Sequence, residues 1–473
     1  MSKYFLLFFV FAIGCKTKQS QVQEKPNILY IYTDQQHANM MHAAGNKWLK
    51  TPAMDYIANN GIRFTRAYCT NPVCSPSRIS LMTGRFAGAF KDTKGDVVKE
   101  NHGAMDIPEV SSEIRNSTIA AFLKKADYKL LFGGKQHVPP SLTAEALGFK
   151  NMSNDERFEL ANTAAETIKK KHEKPWFMVV SLVNPHDICY MAIREKATSK
   201  FDAKVLEKGV HELSVLDEAL KMPDGISEED FFASYCPPLP ANYEPQFEEP
   251  AALRNLIDSR PMRKNARDNF TDKQWRRHRW AYCRLVERVD QQIQIILTAL
   301  QESGNEKNTL VMFSSDHGDM DGSHRMEHKS TFYEESANIP FTAMWKGHIP
   351  AGQVNTTHLI SNGLDLLPTL CDYAQVEGVS DPRGKSLRPL FEGKDLAWRT
   401  TLGVESEVGN MVVHQDGLKY IRYKNKGEVE EQLLDLSKDP GETTHFTNNP
   451  EYRKRLSMLR NELETQWFPK NFN

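Results

Sequence analysis

A short stretch around Cys74 concentrates residue types that suggest chemistry. The segment CTNPVCSPSRISLMTGR, residues 69–85, contains two cysteines, two prolines and a Ser-Arg pair. A structural cysteine needs only an apolar pocket, and a disulfide needs only a second cysteine at a suitable distance. Neither requirement explains the polar residues that flank Cys74, so we expect its thiol to have a chemical role.

Three apolar runs elsewhere in the chain end in charged or imidazole side chains. PNILYIYTD ends at Asp34, KPWFMVVSLVNPHD at His186 and Asp187, and NTLVMFSSDHGD reaches Asp316 and His317. Continuous apolar runs are typical of parallel strands that are buried on both faces. Open α/β sheets bind ligands at the carboxyl ends of such strands, whereas core packing alone would not place polar groups there. The three ends therefore predict one shared site.

The elements between these runs favour an α/β fold. TPAMDYIANNGIRF predicts a short helix with Thr51 as N-cap, Pro52 at the first helical position and Gly61 as its stop. WAYCRLVERVDQQIQIILTAL predicts a long amphipathic helix that packs on the sheet. Its apolar stripe consists of Leu285, Val286, Val289, Ile293, Ile296, Leu297 and Leu300.

Two later regions differ from these elements in composition and in hydrophobic pattern. Residues 190–270 are rich in charge and include CPPLPANYEPQFEEP, which predicts a long, elaborated loop region of the kind that often selects substrates. From about residue 376, GLKYIRY and EEQLLDL predict short antiparallel strands, and EYRKRLSMLRNELETQW predicts a terminal helix. We expect a main domain over 26–375 and a smaller C-terminal α+β subdomain over 376–473.

Composition excludes some classes of function. The 473 residues are 40% hydrophobic and carry 60 basic against 61 acidic side chains, a net charge of −1. The chain can therefore build a large core. Its near-even charge balance and the lack of a long basic run give no reason to predict nucleic-acid binding. Seven cysteines at irregular spacing argue against a full disulfide framework and form no CxxC zinc pair, although Cys69 could pair with one partner.

The N-terminus predicts export. Lys3 precedes an apolar run from Tyr4 to Ile13, which is too short to span a bilayer and is typical of a signal peptide. Its end, Ala-Ile-Gly-Cys15, resembles a bacterial lipobox, in which the cysteine is lipidated. We therefore expect a signal peptide over 1–15, a polar tether over 16–25, and a lipoprotein in the periplasm or at the outer membrane that meets the membrane only through its lipid anchor. Plain secretion after a small-residue cleavage site is the alternative.

The segment CSPSRISLMTGR resembles the sulfatase signature, Cys-x-Pro-Ser-Arg followed by Thr-Gly-Arg. In that family a maturation enzyme oxidises the cysteine to formylglycine, whose hydrated aldehyde is the nucleophile. The resemblance implies this modification at Cys74, with Arg78 in the site. One hydroxyl of the diol would attack sulfur, and the second would later expel sulfate and regenerate the aldehyde.

Other segments resemble further motifs of the family. TDQQ and SDHGD resemble its metal motifs and imply that Asp34, Gln35, Asp316 and His317, with residue 74, bind one divalent cation, calcium in most members. Gln35 stands where many members have aspartate, and His317 where others have asparagine.

The resemblance also implies the cationic and acid–base residues. GGKQH resembles the family's Gly-Lys-x-His segment and gives Lys135 and His137, while NPHD gives His186 and MEHKSTFYEES gives Lys329. Fixed cations suit a desolvated sulfate group. His137 would deprotonate the hydroxyl that expels sulfate, and His186 would protonate the leaving oxygen. His324 and His328 receive no role.

The resemblance runs from PNILYIYTD to EQLLDLSKDPGE and implies an alkaline phosphatase-like fold: a large mixed, mostly parallel sheet between helices, with a small antiparallel sheet in the C-terminal subdomain. The implied substrate is a sulfated oligo- or polysaccharide, of algal or glycosaminoglycan type. Two alternatives stay open. Phosphonate monoester hydrolases and related phosphodiesterases share the motif and fold, and a catalytically silent glycan-binding lipoprotein would keep the fold without turnover.

Overall fold

An eight-stranded sheet forms the centre of the protein in a computed structural model that describes residues 25–90, 110–196, 200–378, 381–425 and 427–469. The predicted signal peptide and residues 16–24 of the tether lie outside the described residues. Among the helices of the described residues, none combines the length and the apolar character needed to cross a bilayer.

The large sheet has the strand order β5-β4-β6-β1-β7-β8-β2-β9. All neighbouring pairs are parallel except the two made by β8, which runs antiparallel to both β7 and β2. A two-stranded parallel ribbon joins β3 to β10, and β11 to β14 form an antiparallel meander. The strands in the described residues are β1 (Asn27–Asp34), β2 (Ile62–Phe64), β3 (Ala67–Tyr68), β4 (Lys129–Gly134), β5 (Lys150–Asn151), β6 (Trp176–Pro185), β7 (Thr309–Ser315), β8 (Phe341–Met344), β9 (Gln353–Asn355), β10 (Ile360–Ser361), β11 (Thr401–Ser406), β12 (Gly409–His414), β13 (Leu418–Asn425) and β14 (Glu428–Asp435).

Helices cover both faces of the large sheet. In the described residues they are α1 (Pro52–Asn59), α2 (Cys74–Thr83), α3 (Ser112–Arg115), α4 (Ile119–Lys125), α5 (Leu160–Lys169), α6 (Cys189–Glu195), α7 (Lys200–Lys208), α8 (Val210–Leu220), α9 (Glu228–Asp230), α10 (Ala251–Asp258), α11 (Pro261–Asn269), α12 (Asp272–Glu302), α13 (Glu334–Ala337), α14 (Asn362–Ala374), α15 (Arg388–Phe391) and α16 (Arg453–Glu462). The predicted mixed, mostly parallel α/β architecture with a small antiparallel sheet is confirmed.

The core explains why the three apolar runs form the central strands. Every residue of β1, β6 and β7 is buried. Alternate side chains of each strand enter two different apolar clusters: Leu29 and Val311 pack with α12 on one face, while Ile28 and Leu310 pack with α4 and α14 on the other. A strand covered on both faces must be apolar throughout, which the sequence pattern predicts. The seven predicted stripe residues of α12 are all buried.

The start of α1 differs from the prediction in its chemistry. Thr51 precedes the helix, but its hydroxyl donates to Asp55 and does not cap. Asp290 of α12 accepts instead from the backbone N–H groups of Ala53 and Met54, at 3.1 and 2.8 Å. Gly61 follows the helix end because β8 passes so closely that a Cβ there would lie 2.0 Å from a backbone carbonyl oxygen.

The loop prediction for residues 190–270 is wrong. Helices α6 to α11 occupy much of this region, and several have one apolar face. Val215, Leu216 and Ala219 of α8 are buried in the core beside α12, and Leu253 and Ile257 of α10 pack near the meander. Short amphipathic helices separated by proline-rich connections carry few apolar residues each, so their composition resembles that of a loop.

The C-terminal predictions are confirmed as elements. GLKYIRY and EEQLLDL form β13 and β14, which pair antiparallel, and α16 followed by a π-helical turn over Leu463–Trp467 covers the terminal segment. The boundary at 375/376 stays a prediction. The six described cysteines are all free and buried, so the pairing considered for Cys69 does not form.

Candidate active site

Cys74 is the first residue of α2, and its side chain is buried. A helix N-terminus presents unpaired N–H groups and the positive end of the helix dipole, which favours an anion. Pro76 suits the first turn because its nitrogen needs no partner there. At the other end, Gly84 adopts φ +64° and closes the helix. The second half of the signature therefore ends a helix, while the first half forms the site.

Arg78 joins the ends of two strands. One turn into α2, it is fully buried and donates through Nη2 to Asp34 Oδ2 at 2.9 Å and through Nε to Asp316 Oδ2 at 2.7 Å. Its Nη1 donates to the Lys135 carbonyl and to Ser181 Oγ, at 2.6 and 2.9 Å. One guanidinium thus holds the outer oxygen of each carboxylate, and both inner oxygens face Cys74 and His317.

His317 directs a ring nitrogen at the same point. Its Nδ1 lies 2.8 Å from the Gly318 carbonyl oxygen, which can only accept, so Nδ1 carries a proton and Nε2 is the ring nitrogen that faces the cluster. Nε2 lies 3.1 Å from Cys74 Sγ and 3.6 Å from one oxygen of each carboxylate, Asp34 Oδ1 and Asp316 Oδ1. A metal-binding imidazole is usually oriented in this way, by a carbonyl behind it.

Lys329 closes the cluster from the opposite wall. Its Nζ lies 3.0 Å from Cys74 Sγ and donates to Gln35 Oε1 at 2.6 Å. The Gln35 amide is oriented from behind, because Nε2 donates to Asp319 Oδ2 at 2.5 Å. The side-chain carbonyl of Gln35 therefore faces the cluster and its NH₂ faces away.

The charges around Cys74 favour its ionised form. Burial and Asp34 oppose ionisation, but Lys329, His317 and Lys135 outweigh them and hold the pKa of the Cys74 thiol well below its ordinary value. Burial likewise opposes ionisation of Asp34, and Lys135 with other cations holds the pKa of Asp34 well below its usual range. The site is arranged to stabilise negative charge at residue 74.

The arrangement fits a divalent cation. Asp34, Cys74, Asp316 and His317 each offer one ligand atom, and these atoms lie within 4.8 Å of one another. The pKa of Asp316 is raised by burial and by the neighbouring charge of Asp34, so a cation between the two carboxylates would relieve their repulsion. Gln35 offers an amide oxygen at the edge of the same space. The metal predictions for these five residues are compatible with the geometry.

The remaining predicted residues lie around this cluster at different distances. Lys135 Nζ donates to Asp34 Oδ2 at 2.7 Å. His186 follows β6 in a turn, and burial together with Lys135 holds its pKa well below the ordinary value, although Asp34 acts in the other direction. His137 lies two residues after Lys135 with its Nδ1 buried, and no hydrogen bond among the described residues reaches that atom.

Comparison with known proteins assigns the family. The sulfatase family model matches residues 26–376, and the model for the N-sulphoglucosamine sulphohydrolase C-terminal region matches residues 322–467. The chain belongs to the sulfatase family. As a type I sulfatase of the alkaline phosphatase-like superfamily it is a sulfuric ester hydrolase, and the alternative of a catalytically silent binding protein is not supported.

Relatives of this sulfatase match over nearly their whole lengths. An arylsulfatase of Clostridium perfringens is 28% identical, with 93% of this chain and 94% of the relative covered. A Delta 4,5-hexuronate-2-O-sulfatase of Bacteroides thetaiotaomicron is 27% identical, with 94% and 89% covered. The solved structure of a 2-O GAG sulfatase superposes with a TM-score of 0.76 at 26% identity, with 93% and 91% covered. That of a phosphonate monoester hydrolase from Agrobacterium radiobacter gives 0.68 at 19% identity, with 93% and 94% covered, and shares the fold.

Sequence reasoning misses two residues that support the sulfatase site. Asp319, which orients Gln35, stands in the quoted SDHGD motif, so its position offered a signal. The sequence around Arg157 offered no such signal. Arg157 donates to both oxygens of Asp187, at 2.8 and 3.1 Å, while Asn184 donates to the same carboxylate at 3.0 Å. These contacts hold the turn that carries the neighbouring His186.

Unusual backbone conformations accumulate around the sulfatase site. Gln35, His137, His328 and Ser330 have φ values of +74°, +48°, +71° and +83°. Non-glycine residues with positive φ values are strained by about 1–3 kcal/mol each, and such strain concentrates at functional sites.

His324 is the other histidine without a predicted role. Its ring stacks on that of Tyr333, with 4.1 Å between the ring centroids.

Proposed function

We propose that this sulfatase hydrolyses sulfate esters of sulfated oligo- or polysaccharides, using formylglycine made from Cys74 and one divalent cation, Ca²⁺. The observation that carries the proposal is the convergence on Cys74, at the N-terminus of α2, of Lys329, His317 and two carboxylates held by Arg78. The sugar sulfatases among the relatives support the substrate class.

Formylglycine, when formed, supplies a geminal diol in which oxygen takes the place of Cys74 Sγ. One hydroxyl loses its proton and forms a bond to sulfur, while the bond from sulfur to the sugar oxygen breaks. The leaving oxygen takes a proton, and loss of the proton from the second hydroxyl expels sulfate as the aldehyde re-forms. Water then hydrates the aldehyde, so that atoms and charge balance over the cycle.

We assign the steps of this reaction to side chains according to their positions around residue 74. Lys329, with its Nζ 3.0 Å from the reacting atom of residue 74, and Lys135 neutralise the sulfate group. The cation would lie among Asp34, Asp316, His317 and residue 74, where it would favour ionisation of the attacking hydroxyl and polarise sulfate oxygens. His186 protonates the sugar oxygen, and a bound sulfate anion would favour the proton that burial and Lys135 disfavour. His137 accepts the proton of the second hydroxyl.

The test combines modification, metal content and turnover. Protein made with a formylglycine-generating enzyme is expected to show formylglycine at position 74 by peptide mass spectrometry, to contain one Ca²⁺ by elemental analysis, and to hydrolyse an aryl sulfate and defined sulfated saccharides. Paired assays with an aryl phosphonate monoester distinguish sulfate ester hydrolysis from phosphonate monoester hydrolysis. This comparison is needed because phosphate and sulfate monoanions are nearly isosteric. Modified, metal-loaded protein that hydrolyses only the phosphonate would overturn the proposal.

We further propose export as a lipoprotein, which rests on the N-terminal sequence alone. Metabolic labelling with a fatty acid is expected to label the full chain but not Cys15→Ala. Labelling that persists in this variant would place the lipid elsewhere, and a soluble, unlabelled exported chain would favour simple secretion.

A further inference from the structure

Two arginines in the described residues are buried, and they differ completely in their partners. Arg78 is surrounded by two carboxylates, a carbonyl and a hydroxyl. Arg263, in the first turn of α11, is 9% exposed, and no hydrogen bond or ion pair with the described residues involves its guanidinium. A desolvated cation without a partner is costly, and proteins seldom keep one without a ligand for it.

Arg263 lines a narrow cleft that leads to the catalytic cluster. Lys329 lines the same cleft, and its Nζ lies 3.0 Å from Cys74 Sγ. The other polar residues of the cleft are Arg325, Glu327 and Thr331. Arg325 Nη2 donates to Glu244 at 3.0 Å, and the carboxylate of Glu327 lies against the ring of His328. The apolar walls are Leu256, Ile257 and Met326.

The electrostatic surroundings of Arg263 contain no partner that would neutralise it. The acid that acts on it most strongly is Glu407, in the turn between β11 and β12, but this carboxylate forms no ion pair with Arg263 among the described residues. Burial lowers the pKa of Arg263 below its usual value, yet an arginine remains protonated at neutral pH. The cleft therefore presents a fixed positive charge beside the reaction centre.

We propose that Arg263 is a specificity residue that binds a second anionic group, a carboxylate or another sulfate, on the saccharide whose ester is cleaved. The planar guanidinium fork matches two oxygens of either group, and the apolar walls exclude water. The cleft has a volume of only about 10 Å³ in the free protein, so a sugar ring cannot enter it and we expect such a substituent to enter as the flexible side chains that line it move apart. This inference rests on the proposed sulfatase function.

The experiment measures how strongly paired ligands compete with an aryl sulfate. One pair is a 2-sulfated hexuronate and its methyl ester, and the other is glucosamine 2-N,6-O-disulfate and N-acetylglucosamine 6-sulfate. Wild type is expected to bind the doubly charged member of at least one pair about 10- to 100-fold more tightly, and Arg263→Gln should reduce that ratio to near one. The pair that responds distinguishes a carboxylate from a sulfate.

The control is Arg254→Gln, which removes an exposed arginine from the neighbouring α10 and should leave the ratio unchanged. A wild type without preference in both pairs, or a preference that survives Arg263→Gln, would overturn the proposal. Failure to hydrolyse both the aryl sulfate and the sulfated saccharides would instead refute the proposed function, and calorimetric affinities for the same pairs would then decide the role of Arg263.

Thermal unfolding gives a second, independent readout. Because Arg263 has no protein partner, Arg263→Met is expected to raise the melting temperature or leave it unchanged. A clear fall would show that Arg263 stabilises the fold through contacts in the free protein, which contradicts the proposal.

Discussion

Two buried lysines in this sulfatase have opposite surroundings. Lys419, on β13 of the small sheet, donates to the Phe332 carbonyl at 2.6 Å, to Glu442 at 2.6 Å and to Glu334 at 3.0 Å. Lys329 donates to the Gln35 amide oxygen and faces Cys74 Sγ, and no carboxylate of the described residues pairs with it. All three N–H bonds of Lys419 have acceptors within the protein, whereas Lys329 directs its charge at Cys74 Sγ.

The contrast indicates that Lys419 stabilises the fold, whereas the charge of Lys329 remains available to a substrate. We call Lys419, Glu334 and Glu442 the Lys419 cluster. It joins the small sheet to the start of α13, only a few residues after Lys329, and Glu442 also accepts from the backbone N–H of Glu334 at 2.7 Å. The small sheet thus fixes the segment that follows Lys329. Substitutions in the two regions should therefore separate activity from stability.

The largest expected effect is on turnover, from Cys74→Ala. It removes the residue that we propose becomes the nucleophile, so we expect kcat to fall about 10⁴-fold or more. The free energy of unfolding should change little, because Cys74 lies outside the apolar clusters that form the core. Steady-state assays and denaturant unfolding check both statements. Cys371→Ala, a buried thiol in α14, is the matched control and should keep its activity.

Removal of the cation should be the next largest effect. Chelation is expected to lower activity at least about 100-fold, because several kcal/mol of charge stabilisation are lost at residue 74. Added Ca²⁺ should restore it. The Lys419 cluster contains no proposed ligand, so a chelated Lys419→Met variant should lose activity by the same factor as chelated wild type. Full activity in protein shown by elemental analysis to be metal-free would contradict the assignment.

His186→Ala should discriminate between leaving groups. Sugar oxygens need a proton to depart and activated phenolates do not, so we expect a loss of about 10²–10⁴-fold on a sugar sulfate and less than about tenfold on an activated aryl sulfate. The comparison of kcat/KM on the two substrates checks this. Equal losses would show that His186 does not protonate the leaving oxygen. His211→Ala, an exposed histidine of α8, controls for general effects.

Lys419→Met should act on stability. Removal of Lys419 leaves the buried Glu334 carboxylate without its cation and Glu442 without a donor, which costs about 3–5 kcal/mol in the free energy of unfolding. The folded fraction should retain kcat within a factor of a few. Denaturant unfolding measures the loss, and Lys424→Met, an exposed position on the same strand, should be near neutral. A large loss of kcat at unchanged stability would show that the comparison between the two lysines is mistaken.

Glu442→Gln should change how stability depends on pH. Burial raises the pKa of Glu442 to about 8. Lys419 acts in the other direction, but it is shared with Glu334 and cannot fully neutralise both carboxylates. Between the unfolded pKa of about 4.5 and the folded value, the folded protein holds an extra proton, so this group's contribution to stability falls as pH rises.

The expected slope is about 1.4 kcal/mol per pH unit in that window. Glu442→Gln should remove it, whereas Glu451→Gln, at an exposed position, should keep it. Unfolding free energies at pH 5.5 and 7.5 provide the measurement. Identical pH dependence in wild type and Glu442→Gln would mean that Glu442 is ionised throughout, and that the Lys419 cluster carries a net negative charge.

Much of the site was predictable because its residues follow patterns that are local in the sequence. The ends of β1 and β7 carry Asp34 and Asp316, and the signature places Cys74 and Arg78 one helical turn apart. The contacts of Asp319 and Arg157 could not be read in this way, since an orienting partner is defined by distance and not by spacing. The helices of residues 190–270 were missed because each contributes only a few apolar side chains to a face that other elements complete.

The sequence by itself determined the family, the candidate site residues and the central strands, because a strand covered on both faces must be apolar and the family signature specifies residues at the start of α2. The tertiary structure alone decided which charges are neutralised. Arg78, Arg263, Lys329 and Lys419 are ordinary cations in the sequence. Only packing places carboxylates around Arg78 and Lys419, while Lys329 faces Cys74 Sγ and Gln35 and Arg263 has no partner among the described residues. Charge pairing depends on distances of a few ångströms between segments that lie far apart along the chain, so no local pattern records it.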